Sequence, residues 1–200
     1  MKKTKNSTLD VRKLPLTGIL TALVIILQFM SNYIQPVPGV SITLVLVPIV
    51  IGAALLGQYV GIWLGLVFGF TVFLSGGANA FLAISIPGTV ITCLLKGALA
   101  GFAVSVVYRL FEKKNQYLAI ILSAVICPIV NTGIFLICCR IFFWQGVQDW
   151  GASLGFDNAV QYLFIGLAGI NFIVELAINC VLAPVILRLT KIGKSTLAGH

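Results

Sequence analysis

The sequence predicts an all-α, polytopic membrane protein: a bundle of six transmembrane helices with both termini in the cytoplasm. Three observations predict it. Sixty per cent of the 200 residues are apolar and 9% are charged, where a soluble chain carries about a quarter charged residues. The apolar residues fall in runs long enough to span a bilayer, and Lys and Arg gather in three clusters bordering those runs. With a mean hydropathy of +1.10, lipid is the solvent for most of this surface. The net charge of +8 is then a topology signal, and its distribution argues against a nucleic-acid partner.

Five apolar stretches stand out, at 14–35, 40–75, 80–108, 117–143 and 160–190. A span needs about 20 residues to cross roughly 30 Å of hydrocarbon. The run from Leu14 to Met30 is long for a signal-peptide core and lacks a small-x-small exit, so it reads as span one. As one helix, Val40 to Leu74 would measure about 52 Å at 1.5 Å per residue. It is expected to be two short spans turning near Gly57 and Gln58. The remaining stretches give one span each.

Charge decides the count. With six spans and the N-terminus inside, Lys2, Lys3, Lys5, Arg12, Lys13, Arg109, Lys113, Lys114, Arg188, Lys191 and Lys194 all face inward. Those are 11 of the 13 basic residues. The outer loops, near 31–41, 75–87 and 144–160, contain no Lys or Arg. Five spans would place the Arg109–Lys114 cluster outside, against the positive-inside rule. The organisation expected is a basic cytoplasmic tail (1–13), a membrane domain (14–190) and a second cytoplasmic tail (191–200). The outer loops have their own chemistry. Gln35-Pro36-Val37-Pro38-Gly39 cannot continue a helix; Ser75-Gly76-Gly77-Ala78-Asn79 is flexible and polar; Trp144 and Trp150 suit the membrane interface.

Small residues recur at helical spacing. Gly57, Gly61, Gly65 and Gly69 make a side-chain-free groove, and Gly97, Gly101 and Ser105 repeat the device. Gly18 and Ala22 do so in span one, beside Thr17 and Thr21. Packing within the chain explains such stripes; for span one an intermolecular surface is the reading adopted.

Ionisable groups within a bilayer are costly and usually functional. Lys96, Glu175 and Arg140 are the three candidates. Asn171, Glu175 and Asn179, four residues apart, share one helical face, which must look into the bundle or a wet cavity. Two readings stand: a self-neutralising Lys96–Glu175 pair, or a polar wall lining a ligand cavity. Asn131 follows Pro128, which frees a backbone carbonyl, and its amide adds donors and acceptors. Gln28 and Asn32 close the outer end of span one, and Asn79 stands in the second outer loop.

Signals of catalysis and metal binding are missing. The one histidine, His200, is terminal, so a Ser-His-Asp or Cys-His arrangement has no internal base. Gly193-Lys194-Ser195 lacks the preceding glycine of a phosphate loop and follows a membrane helix. Cys93, Cys127, Cys138, Cys139 and Cys180 lie in apolar segments without CxxC spacing and read as small hydrophobes. No metal, cofactor or enzyme activity is expected. A small bundle with a polar interior and no engine suggests a binding subunit that works with others.

The whole chain resembles the substrate-binding (S) components of energy-coupling factor (ECF) transporters, bacterial vitamin importers. The resemblance is carried by the basic N-terminus and by Leu16-Thr17-Gly18-Ile19-Leu20-Thr21-Ala22-Leu23. It continues in Ser41 to Ala53, in Leu95-Lys96-Gly97-Ala98-Leu99-Ala100-Gly101 and in Cys127-Pro128-Ile129-Val130-Asn131-Thr132-Gly133. It implies a multi-pass protein of the bacterial plasma membrane that binds one water-soluble vitamin near its outer face. It further implies docking, through small residues of span one, on a membrane coupling subunit that carries two cytoplasmic ATPase subunits. The family's first-span motif is alanines spaced by four; here Gly18 and Ala22 match and Ile26 departs. A membrane lysine suits a carboxylate, so pantothenate is the expected vitamin, with riboflavin or folate as alternatives. A stand-alone proton-coupled carrier working through Glu175 is the competing class. The substrate-binding residues expected are Lys96, Asn131, Asn171, Glu175, Asn79, Asn32, Gln28 and Arg140.

Overall fold

A computed structural model describes residues 13–31 and 44–198. Every regular element among them is helical: α1 (Lys13–Ser31), α2 (Leu46–Leu56), α3 (Gln58–Leu74), α4 (Asn79–Leu82), α5 (Ile86–Phe111), α6 (Gln116–Phe142), α7 (Trp144–Ser153), α8 (Ala159–Gln161), a π-helical stretch (Tyr162–Gly169) and α9 (Ile170–Ala198). Among the described residues, four helical segments are long and apolar enough to cross a membrane: α1, α5, α6 and the continuous run from Ala159 to Leu197. Two shorter apolar helices, α2 and α3, complete the bundle. The first-span residue Asn32 and the Gln35–Gly39 segment lie outside the described residues, as do residues 1–12.

The break expected near Gly57 is there. Gly57 has φ +97°, a conformation that costs a residue with a Cβ dearly, and it separates α2 from α3. The second helix pair also meets through glycine. An added Cβ at Gly61 would crowd the Gly101 carbonyl, one at Gly65 the Gly97 carbonyl, and one at Gly69 the Cys93 carbonyl. The antiparallel helices α3 and α5 thus touch backbone to backbone, and both stripes are spent on packing within the chain. The stripe in α1 is different: Gly18 and Ala22 are exposed, and a Cβ at Gly18 would meet nothing.

Two segments beyond the expected spans are helical. The segment 144–160, expected to be a loop, contains the helix α7. Its Val147 and Gly151 are buried, and Trp150 packs edge-on against Phe81 with ring centroids 5.3 Å apart. Amphipathic packing onto the bundle makes it a helix. The tail expected from residue 191 begins as a continuation of α9, which runs on to Ala198. There Lys194 Nζ lies 3.0 Å from Glu112 Oε2, tying the last turns of α9 to the end of α5.

Local chemistry sets the other ends. Ser85 Oγ accepts from the Gly88 N–H at 3.2 Å, starting α5 with Pro87 in its first turn, where a missing N–H does no harm. Asn115 Oδ1 accepts from the Tyr117 and Leu118 N–H groups, starting α6 just after the Lys113-Lys114 turn. That turn marks a basic end of the bundle. The main core joins α1, α2, α3, α5, α6 and α9. A smaller cluster (Cys139, Phe143, Val147, Tyr162 and Leu163) fills the opposite end.

Candidate ligand-binding site

Between α3, α5, α6 and α9, towards the end opposite the basic one, lies a cavity of about 130 Å³. On the same measure one water needs about 10–15 Å³, so the cavity has room for a small organic molecule.

Each wall follows from helical periodicity. From α5 come Thr89, Thr92, Cys93 and Lys96, spaced by three and four and therefore on one face. From α6 come Asn131, Thr132 and Phe135, and from α9 Asn171 and Glu175, again one turn apart. The π-helical stretch supplies Leu167 and Ala168; its wider turn resets the register that delivers Asn171, a common use of π geometry near sites. Phe68 and Val72 of α3 form the apolar side, Gln28 reaches in from α1, and Gly77, Ala78 and Phe81 border the cavity from the α3–α5 connection.

The polar atoms are arranged unevenly. Thr89 and Thr92 hydroxyls donate to the carbonyls of Ser85 and Gly88, each at 2.7 Å. Their protons are committed and their lone pairs are offered. Gln28 Nε2 donates to Ser75 Oγ at 3.5 Å. The amide oxygens of Gln28, Asn131 and Asn171 are buried without a partner among the described residues. Buried acceptors are normally satisfied, so these three ask for donors from water or a ligand. The ammonium of Lys96 supplies positive charge, and Glu175, 1% exposed, supplies the one carboxylate among the described lining residues.

Five sequence-selected residues therefore meet at one cavity: Gln28, Lys96, Asn131, Asn171 and Glu175. Asn179, a turn beyond Glu175, donates to its backbone carbonyl at 2.9 Å and is not in the lining. Asn79 is exposed on α4, away from the cavity wall. Arg140 is exposed too, its guanidinium 4.3 Å from the Trp144 ring centroid, a cation–π contact on the surface. The aromatic and threonine walls were not singled out from sequence. Thr89 and Thr92 had a usable signal, since they share the face of Lys96; Phe68, Phe81, Phe135 and Phe143 look like any apolar residue of a span.

The family model of the ECF transporter, substrate-specific component, matches residues 12–187. The chain belongs to that family. Neither a curated protein nor a solved structure matches it. As an ECF substrate-specific component it is a membrane-embedded, substrate-binding subunit that serves an ECF module and a small-molecule substrate. Members of this family bind transport substrates and are not enzymes. A polar cavity within a membrane bundle is the arrangement such a subunit requires.

Proposed function

We propose that this chain is the high-affinity binding subunit of an ATP-driven importer for a water-soluble vitamin bearing a carboxylate, pantothenate in the first place. The observation that carries the reading is the pairing in one cavity of the Lys96 ammonium with three buried amide oxygens that need donors. Pantothenate brings a carboxylate for the first and hydroxyl and amide donors for the second. Riboflavin and folate carry rings that the four phenylalanines of the lining would also accommodate, and they are the next candidates. Cobalamin is far too large for this cavity.

In this reading α1, α2, α3, α5, α6 and the α8–α9 run are the six spans, and the basic end faces the cytoplasm of a bacterial plasma membrane. The cavity then opens towards the outside, where a scarce nutrient is met. A membrane coupling subunit receives the exposed Gly18 and Ala22 face of α1 and carries two cytoplasmic ATPase subunits. Lys96, Asn131, Asn171, Glu175 and Gln28 hold the vitamin; Arg140, Asn79 and Asn32 lie nearer the surrounding surface or outside the described residues.

The test is uptake of labelled pantothenate into cells making this chain with and without the ATPase partners. Accumulation that needs the ATPases and survives an uncoupler is expected. Accumulation by the chain alone, abolished by an uncoupler, would make it a proton-coupled carrier working through Glu175.

A further inference from the structure

Lys96 projects from α5 between two helices that each bring an aromatic ring to it. Its Nζ lies 5.2 Å from the ring centroid of Phe68 on α3 and 5.6 Å from that of Phe135 on α6. Both distances fall within cation–π range, about 6 Å.

Neither ring is loosely held. Phe68 is 2% exposed, and its Cδ1 would sit 3.3 Å from a Cβ placed on Gly97. The residue beside Lys96 lacks a side chain, and the ring uses that space. Phe135 is braced edge-on by Phe81, with centroids 5.5 Å apart and planes at 85°. Lysine normally moves freely on a four-carbon stem; here its head sits between two fixed rings.

Ring faces attract a cation but offer no lone pair. Among the described residues the ammonium makes no ion pair, its three N–H donors call for an acceptor, and Lys96 lines the cavity. A carboxylate arriving there gains charge-assisted hydrogen bonds to a donor already in place. A neutral analogue of the same shape gains no such bond.

We propose that Phe68 and Phe135 are positioning residues that hold Lys96 at the cavity wall, so that the cavity selects a carboxylate-bearing ligand over its neutral analogue. This rests on the reading of the cavity as the vitamin site and adds the means of its charge selectivity.

The size of the effect follows from what the rings do. Without one, each binding event must also order the lysine stem. That ordering, converted at tenfold per 1.4 kcal/mol, is about a 2- to 12-fold loss for one rotamer-rich side chain. The loss falls on the charged ligand alone.

The experiment titrates purified wild type, Phe135→Leu, Phe135→Tyr, Phe68→Leu and Lys96→Met with pantothenate and with its alcohol analogue. Biotin and biotin amide form a second acid–neutral pair. Thermal melts verify folding, and if buried Phe68→Leu fails to fold, the Phe135 variants suffice. The acid-to-neutral affinity ratio should fall about 2- to 12-fold in Phe135→Leu, stay near wild type in Phe135→Tyr, and collapse in Lys96→Met. Adding Phe135→Leu to Lys96→Met should not lower the ratio further, because the rings act through the lysine. A Phe135→Leu ratio equal to wild type, with both affinities reduced alike, would make the rings mere cavity walls and overturn the proposal alone. Wild type that binds neither acid, and does not bind folate either, overturns the proposal together with the vitamin reading.

Discussion

Among single residues, Lys96 separates structure from binding. An ammonium inside a membrane bundle needs compensation from a protein carboxylate or from a ligand. If the ligand provides it, Lys96→Met removes a charge-assisted bond of about 1.5–3 kcal/mol, roughly a 10- to 150-fold loss of affinity. The melting temperature without ligand should then hardly move; a lower melting temperature with unchanged affinity would make Lys96 a structural residue. Gly65 gives a second test. A Cβ there would overlap the Gly97 backbone, which cannot step aside as a side-chain tip can. Gly65→Ala should therefore cost about 1–3 kcal/mol by overpacking, whereas Gly133→Ala, with open space around it, should be neutral or slightly stabilising. Thermal melts of both in detergent compare them directly. The polar half of the cavity was legible in sequence because Lys96, Glu175, Asn131 and Asn171 contrast with an apolar background. The aromatic half was not, because a phenylalanine facing the cavity and one facing lipid are the same letter at the same spacing.

At the level of the helix, α1 is set apart. Leu14, Ile19, Ile26 and Met30 are all more than half exposed, and Gly18 and Ala22 lie open among them. This is a face with small residues that no part of the described chain covers. Replacing Gly18 and Ala22 by leucine should impair uptake while leaving vitamin binding by the purified chain intact. Equal losses in binding and uptake would assign the face to packing within the chain. The helices themselves were legible wherever composition is uniform: hydropathy found the long ones, and the length limit of a span placed the break at Gly57. It could not find α7, whose polar residues mask an amphipathic pattern until Phe81 and the α6 end are there to receive it. Nor could it find the π-helical stretch, since nothing in Tyr162–Gly169 distinguishes a π turn from an α turn. The continuation of α9 past residue 190 was hidden for a related reason: Lys194 reads as a solvated tail until Glu112 is placed beside it.

The whole molecule is defined by its topology in the membrane and by the ligand of its cavity. In the six-span arrangement the connections at 75–87 and 144–160 face outward. Cysteines placed at the exposed positions Ala80 and Ser153 should react with an impermeant thiol reagent added to intact cells, and one at Lys114 should not. Labelling at 114 would overturn the arrangement. The asymmetry of the cavity, with its one ammonium and three acceptors lacking partners among the described residues, makes the sharper claim. It calls for a small molecule with a carboxylate at one place and hydrogen-bond donors at others. A subunit that captures a scarce vitamin tightly should retain it through purification. The most direct measurement is mass spectrometry of the small molecules released on denaturing the detergent-purified protein. The expected result is one carboxylate vitamin, pantothenate first, near one per chain and strongly depleted in the Lys96→Met protein; a neutral or cationic compound at that stoichiometry, unaffected by Lys96→Met, would contradict it.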